Sequence, residues 1–363
     1  MSKPLILIAC YAASYGGNFI RSMRALADAY DGDVSFLLPE KARGMKWLDE
    51  LGEYETGFTP FDRKGLRNAC VALAQKYGNH AIVHTHFVGG LSLREVTQVF
   101  PNVLCHWHMA LDAPIGLKSK TISLVKKAVF NTFYSKARFI AVSEPVASAI
   151  RREYPKVRVE CVPNAIDFSR YADCGLEVHG RPAFPIRALI FGSHFERKGV
   201  DIAMDACAKL LQRRAGGGCI LTVPTHNPSE CVKKVVAIRG EVPSWLHIVP
   251  VVEDVASLYS STDLFLSPSR SEAFGYAVVE AAYMGCGVVA SDVPGQNSLK
   301  GIKDIQWVRA DDPDELAEAM LASVDMLTSR TQDELDALRV DLEAQYGIDC
   351  WVGRMLEIYK TVG

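Results

Sequence analysis

"DLFLSPSRSEAFGYAVVEAAYMGCGVVAS", residues 263–291, decides the fold. "DLFLSPS" is a short apolar run and reads as a buried strand. "GYAVVEAAYMG" reads as a helix, and "CGVVAS" as the next strand. Glu272, Ala273 and Phe274 form the turn between strand and helix. Strand, turn, helix and strand make one βαβ unit, which belongs in a parallel sheet. Two carboxylates interrupt this apolar stretch, Glu272 and Glu280, with seven residues between them. Acidic side chains are rarely buried unless paired or hydrogen-bonded. The strand–turn–helix reading separates their roles. The N–H groups of Phe274, Gly275 and Tyr276 fall at the start of the helix, where they lack partners and sit at the positive end of the macrodipole. That is a seat for phosphate. Glu272 lies just before the seat. Glu280 lies about one turn into the helix, placed to accept hydrogen bonds from a pair of ribose hydroxyls. The plainer alternative is that Glu272 caps the helix and Glu280 makes a salt bridge.

The same alternation extends in both directions. Towards the N-terminus, "LILIAC" precedes the helix "GNFIRSMRALADAY", in which Phe19, Met23, Leu26 and Ala27 recur at helical spacing. "DVSFLL", a helix near 66–77, "AIVHTH", "NVLCHWH", a long helix near 118–135 and "RFIAVS" follow. A second series begins with "IRALIFGS" and the helix "GVDIAMDACAKLLQRRA". It continues through "CILTVP", "LHIVPVV" and the helix "DVASLYSS" to the opening stretch, then to helices near 313–327 and 333–344. A chain of 363 residues exceeds what one core usually supports. The expected fold is α/β, with two Rossmann-like doubly wound domains facing across a cleft. Residues 1–170 form the first domain and 186–344 the second, with a linker at 168–186. The final helix, 345–363, is expected to cross back to the first domain. Ligands in such sheets bind at the carboxyl ends of the strands.

The composition, 49% hydrophobic and 23% charged, excludes a disordered or fibrous chain. No apolar run approaches the roughly 18–20 residues of a membrane span. Leu5–Cys10 reads as a first strand rather than a signal peptide, because Gly16-Gly17 and an amphipathic helix follow it. The ten cysteines are scattered, without a C-x-x-C pair, as in a cytoplasmic protein with reduced thiols. The net charge of −2 hides an asymmetry: residues 1–170 carry 22 basic against 15 acidic side chains, and the remainder 18 against 27. The basic half is expected to face something anionic.

Two further loops and a group of histidines stand at strand ends. In "FGSHFERKGVD", 191–201, the adjacent cations Arg197 and Lys198 suit a diphosphate; a solvated basic turn is the alternative. In "YAASYGGNF", Gly16 and Gly17 let backbone approach a ligand closely, but this is not the G-x-G-x-x-G of a dinucleotide fold. His84 and His86 end one strand, and His106 and His108 end another. Alternation puts each pair on one face. No carboxylate or cysteine completes a set at familiar metal-ligand spacing, so a metal is not expected.

Together these blocks resemble one family. "SPSRSEAFGYAVVEAAYMGCGVVASDVPG", with "FGSHFERKGVD", "VSEPVASAI", "VPNAID" and "VVEDVASLYSSTDLFLSPS", is similar to the family-4 retaining glycosyltransferases of the GT-B fold, also called group 1. The likeness covers nearly the whole chain, most clearly 139–295. It implies an acceptor-binding role for the first domain and a nucleotide-sugar-binding role for the second. It implies a nucleoside diphosphate sugar, UDP- or GDP-linked, as donor substrate, with neither cofactor nor metal. It implies Glu280 at the ribose, Arg197 and Lys198 at the diphosphate, and the amides of Phe274, Gly275 and Tyr276 at phosphate or sugar. Glu272 would meet hydroxyls of the transferred sugar. His108 would lie near the anomeric carbon, with His106 competing, and Gly16-Gly17 would approach the donor. Ser193 stands where the family often has Arg. Gln296-Asn297 replace its usual Glu, and Cys286-Gly287-Val288-Val289 replace its G-x-P-V-V, departures that bear on the identity of the sugar.

The implied activity is metal-independent transfer with retention at the anomeric carbon, in cell-surface glycan or glycolipid synthesis. A nucleotide-sugar epimerase and a non-catalytic binding subunit are the alternatives on this fold. Residues 118–138 carry cations among Ile122, Val125, Val129, Phe130 and Phe133. Such a stretch suits a membrane surface and a lipid-linked acceptor, or else an ordinary packed helix. The expected setting is cytoplasmic, peripheral on the inner face of the membrane. Nothing points to nucleic acid.

Overall fold

A computed structural model describes residues 2–110, 131–172, 174, 184–213 and 218–362. The chain divides into two compact units.

The first unit comprises Met1–Asp167 and Tyr346–Gly363. Its parallel sheet has seven strands: β1 (Leu5–Ala9), β2 (Val34–Pro39), β3 (Glu55–Thr59), β4 (Ile82–His86), β5 (Val103–Trp107), β6 (Ala137–Ala141) and β7 (Arg158–Cys161). The spatial order is β3-β2-β1-β4-β5-β6-β7. The strand β1 is buried at every position, as a central parallel strand covered on both faces must be. The helix Gly17–Ala29 turns Phe19, Ile20, Met23, Leu26 and Ala27 inward. The same core takes in Trp351, Val352, Met355, Ile358 and Tyr359 of the helix Ile348–Lys360.

The second unit is Phe168–Gln345. Its strands are β8 (Ile186–Leu189), β9 (Cys219–Thr225), β10 (Leu246–Pro250), β11 (Leu264–Ser267), β12 (Gly287–Ser291) and β13 (Ile305–Val308). All pair in parallel, in the order β10-β9-β8-β11-β12-β13. The helices Val200–Arg213 and Pro313–Ser329 supply much of its core.

Each order reverses once, between β1 and β4 in the first unit and between β8 and β11 in the second. The loops leaving those strands part to opposite sides and open a crevice, the usual ligand position of a doubly wound sheet. The expected linker at 168–186 is not wholly a connector. Phe168–Tyr171 is a 3-10 turn of the second unit, and the Phe168 ring stacks on Tyr283 at 4.3 Å. Much of the basic stretch 118–138 lies outside the described residues. In its remainder Phe133 is buried.

Candidate active site

In the second unit, the loop after β8 and the turn after β11 meet at the switch point. The backbone N–H of Arg270 donates to the carbonyl of Arg197 at 2.8 Å, and the Arg197 guanidinium donates to the carbonyl of Ser271 at 3.2 Å. Arg270 itself is anchored by Asp201, at 2.7 Å, and by Asp311, at 2.6 Å. Glu272 is the centre of this junction. Its Oε1 accepts from Lys198 Nζ at 2.5 Å and from Ser269 Oγ at 3.1 Å, with Arg197 at 3.5 Å. The Glu272 side chain is only 10% exposed. Burial alone would raise its pKa. The charges of Lys198 and Arg197 and the bonds from Lys198 and Ser269 outweigh that, and the carboxyl is held below its ordinary value. The sequence reading assigned these three side chains to different parts of a ligand. The structure makes them one cluster, two cations around one carboxylate.

Gly275 starts the helix Tyr276–Tyr283 with φ 107° and ψ 53°, a conformation that a side chain strains. Phe274 is buried, and its ring meets Tyr276 edge-on at 5.5 Å. The turn is pressed from behind by Gly295, where an added Cβ would lie 1.9 Å from the Glu272 carbonyl oxygen. Gln296, where the family resemblance expected a Glu, is fully buried. It accepts from Ser291 Oγ at 3.1 Å and donates to the carbonyl of Ser267 at 3.3 Å. Its amide therefore ties the ends of β11 and β12 inside the unit.

Glu280 is buried on the same helix and accepts from the hydroxyl of Tyr259 at 2.9 Å. Tyr259 is itself fully buried, so the carboxylate is held by the core on that side. Beside the cluster lies a pocket of about 360 Å³ between the loops after β8 and β9. Ser193, His194 and Arg197 line it, with Thr225, His226 and Lys234. His226 and Lys234 were missed because neither belongs to a recognisable motif. His226 directly follows β9, and Lys234 lies on the next helix, Pro228–Arg239.

In the first unit, the switch point gathers the loop after β1, with Gly16 and Gly17, and the end of β4. Gly17 carries φ 55°, and so does a non-glycine residue, Phe87, at φ 57°. Strained positions of that kind concentrate at functional sites. The Phe87 ring stacks on His108 at 4.4 Å. His108 is half-buried and its Nε2 lies 3.0 Å from His86 Nδ1. Burial pushes its pKa down to about 3, against a smaller opposing effect from a bond with Asn164. His106 is buried, 2% exposed, within the histidine group. Of the two candidates, His108 is the one with solvent access. Phe87 carried no signal in the sequence, and Asn164 stood in the block "VPNAID" without a role attached to it.

Residues 185–325 match the family model described as Glycosyl transferases group 1, which bears out the resemblance drawn from the motifs. The GDP-mannose:cellobiosyl-diphosphopolyprenol alpha-mannosyltransferase of Xanthomonas campestris is 28% identical over 160 residues, 44% of this chain and 41% of that protein. The match thus spans less than half the length of that relative. Among solved structures, the sucrose-phosphate synthase of Thermosynechococcus elongatus aligns over 99% of this chain and 98% of its own, with TM-score 0.78 and 18% identity. HepE of Anabaena in complex with UDP aligns over the whole of both chains, with TM-score 0.75 and 18% identity. The fold is GT-B, with two Rossmann-like parallel sheets.

Proposed function

We propose, from this likeness and from the switch-point cluster, that the chain is a glycosyltransferase. It moves a sugar from a nucleoside diphosphate to an acceptor hydroxyl, with retention and without a metal at the leaving group. One observation carries the reading: Lys198 and Arg197 converge on Glu272 directly before the N-terminus of the helix Tyr276–Tyr283. Two cations against one carboxylate leave a positive charge at the seat prepared for phosphate. The leaving diphosphate gains charge as the glycosidic bond breaks. Fixed cations and helix amides already aimed there stabilise that charge without reorganising, the most productive kind of electrostatic catalysis. Glu280, steadied by Tyr259, takes the ribose hydroxyls. Glu272 takes hydroxyls of the sugar, and its ion pair fixes it as an acceptor of hydrogen bonds. His108, held neutral by its surroundings, is the group that the first unit offers to the sugar.

The acceptor is a glycan or a lipid-linked saccharide, and the enzyme works at the cytoplasmic face of a membrane. The name of the Xanthomonas relative, with its diphosphopolyprenol acceptor, supports this reading. No helix among the described residues is long and apolar enough to cross a membrane, so a peripheral attachment is proposed. The test is a panel of UDP- and GDP-sugars, scored first by thermal shift and then by transfer to polyprenyl-diphosphate saccharides. A stabilising donor that yields a new glycoside with the anomeric configuration retained is expected. An epimerised nucleotide sugar, or stabilisation without transfer or donor hydrolysis, would refute the proposal.

A further inference from the structure

Four imidazoles pack together where β4 and β5 run side by side. His86 is the register partner of His106. His84, His86 and His106 are each 2% exposed or less. One ring nitrogen from each lies within 4.8 Å of the other two. An imidazole brings two polar atoms into the core, and each one left without a partner forfeits the hydrogen bond it made to water. Here Nε2 of His84, Nε2 of His86 and both ring nitrogens of His106 have no hydrogen-bond partner. The remaining nitrogens of the first two rings are engaged. His84 Nδ1 lies 2.7 Å from the Tyr359 hydroxyl, and His86 Nδ1 lies 3.0 Å from His108 Nε2. One nitrogen fixed by an outer partner and the other left open is the arrangement of metal-ligating histidines.

We propose that His84, His86 and His106 form a binding site for a divalent transition-metal ion, with Zn(II) the best match, and with water or hydroxide in the fourth position. Imidazole suits zinc, which imposes no geometry of its own. A Zn–N bond of about 2.0–2.1 Å sets tetrahedral nitrogens about 3.4 Å apart. The present set, within 4.8 Å, would have to close by rotation of the rings about their χ angles to reach that spacing. A metal needs the unprotonated ring. The ion would cross-link β4 to β5, and through Tyr359 it would brace the helix Ile348–Lys360. Its ligands are distinct from Arg197, Lys198 and Glu272, the residues given the leaving-group chemistry proposed above.

The test uses the full chain, without an affinity tag, stripped by chelator and re-equilibrated with Zn(II) or Co(II). One equivalent of zinc per chain is expected after desalting, with a raised melting temperature. The Co(II) form is expected to show the visible bands of a tetrahedral nitrogen site. His106→Phe keeps an aromatic ring in the pocket and is expected to lose the equivalent and the bands. His247→Phe, at an exposed position in the second unit, is expected to keep both. If His106→Phe fails to fold, the titration of the unaltered chain decides. Substoichiometric zinc, no cobalt bands, or bands that survive His106→Phe would overturn the site and leave buried water as the partner of the four nitrogens.

Discussion

Lys198→Met removes one charge and keeps most of the side-chain stem. Its target is a pair in which Glu272 is 10% and Lys198 23% exposed. Removing one partner of a buried pair costs about 3–5 kcal/mol, because the other charge is stranded. Arg197 at 3.5 Å and the Ser269 hydroxyl at 3.1 Å still face Glu272, so about 2 kcal/mol is expected, using the low end and discounting for the contacts that remain. Glu272→Gln strands the more exposed Lys198, which water re-solvates, and is expected to cost about 1 kcal/mol. The double variant is then expected near 1 kcal/mol rather than the additive 3, a coupling of about 2 kcal/mol within the usual range for contacting residues.

Urea unfolding of the four proteins at neutral and acid pH measures this. In the parent chain the lowered pKa of Glu272 stabilises the fold above the ordinary carboxylate value, and that contribution is lost as pH falls through the lowered one. In Lys198→Met the main opposing charge is gone and burial raises the carboxyl, so the deficit is full at neutral pH and shrinks as Glu272 takes up a proton. The two stability curves converge in acid. Transfer should behave differently: the double variant regains stability but stays at least ~100-fold down, since the charge at the diphosphate is still missing. Additive stabilities, or a deficit that does not shrink in acid, would refute the pairing argument. Full transfer by Lys198→Met would refute the role at the diphosphate.

Gly295→Ala forces the Glu272 turn aside, because the new methyl starts 1.9 Å from a carbonyl oxygen. Displacement of about 1 Å is expected to cut kcat about 100-fold while costing about 1–3 kcal/mol in stability, checked by steady-state kinetics and urea melts. Tyr259→Phe removes the donor to Glu280, and calorimetry should show nucleotide binding weakened by about tenfold, near 1.4 kcal/mol. An unchanged dissociation constant would show that Glu280 serves the core alone. His108→Ala is expected to lower transfer by 100-fold or more while leaving nucleotide binding, proposed above for the second unit, as it was.

The doubly wound architecture was legible wherever a strand is buried on both faces. Leu5–Ala9, Ile82–His86 and Gly287–Ser291 are continuous runs in the sequence and wholly buried in the structure. The strands β3 and β7 were not legible. They are edge strands with exposed residues such as Glu55 and Arg158, and no apolar run announces them. Site residues were legible where a motif fixes the backbone, as at Gly275. Their partners were not. The ion pair of Lys198 with Glu272 joins residues 74 apart in sequence, and Tyr259 reaches Glu280 from another element. The histidines show the same limit. Alternation put two pairs on two strands, but the register of β4 with β5 brings three rings together.

The first unit is built from two separated pieces of chain, and the second is one uninterrupted piece between them. Translation therefore delivers the units in an unusual order. The second, Phe168–Gln345, emerges whole and can close its own core on the ribosome. The first, although begun earlier, waits for Trp351, Met355 and Tyr359 before its apolar interior is sealed. For that interval the unfinished face around Leu5, Met23 and His84 is the part of the nascent chain that chaperones would have to shield.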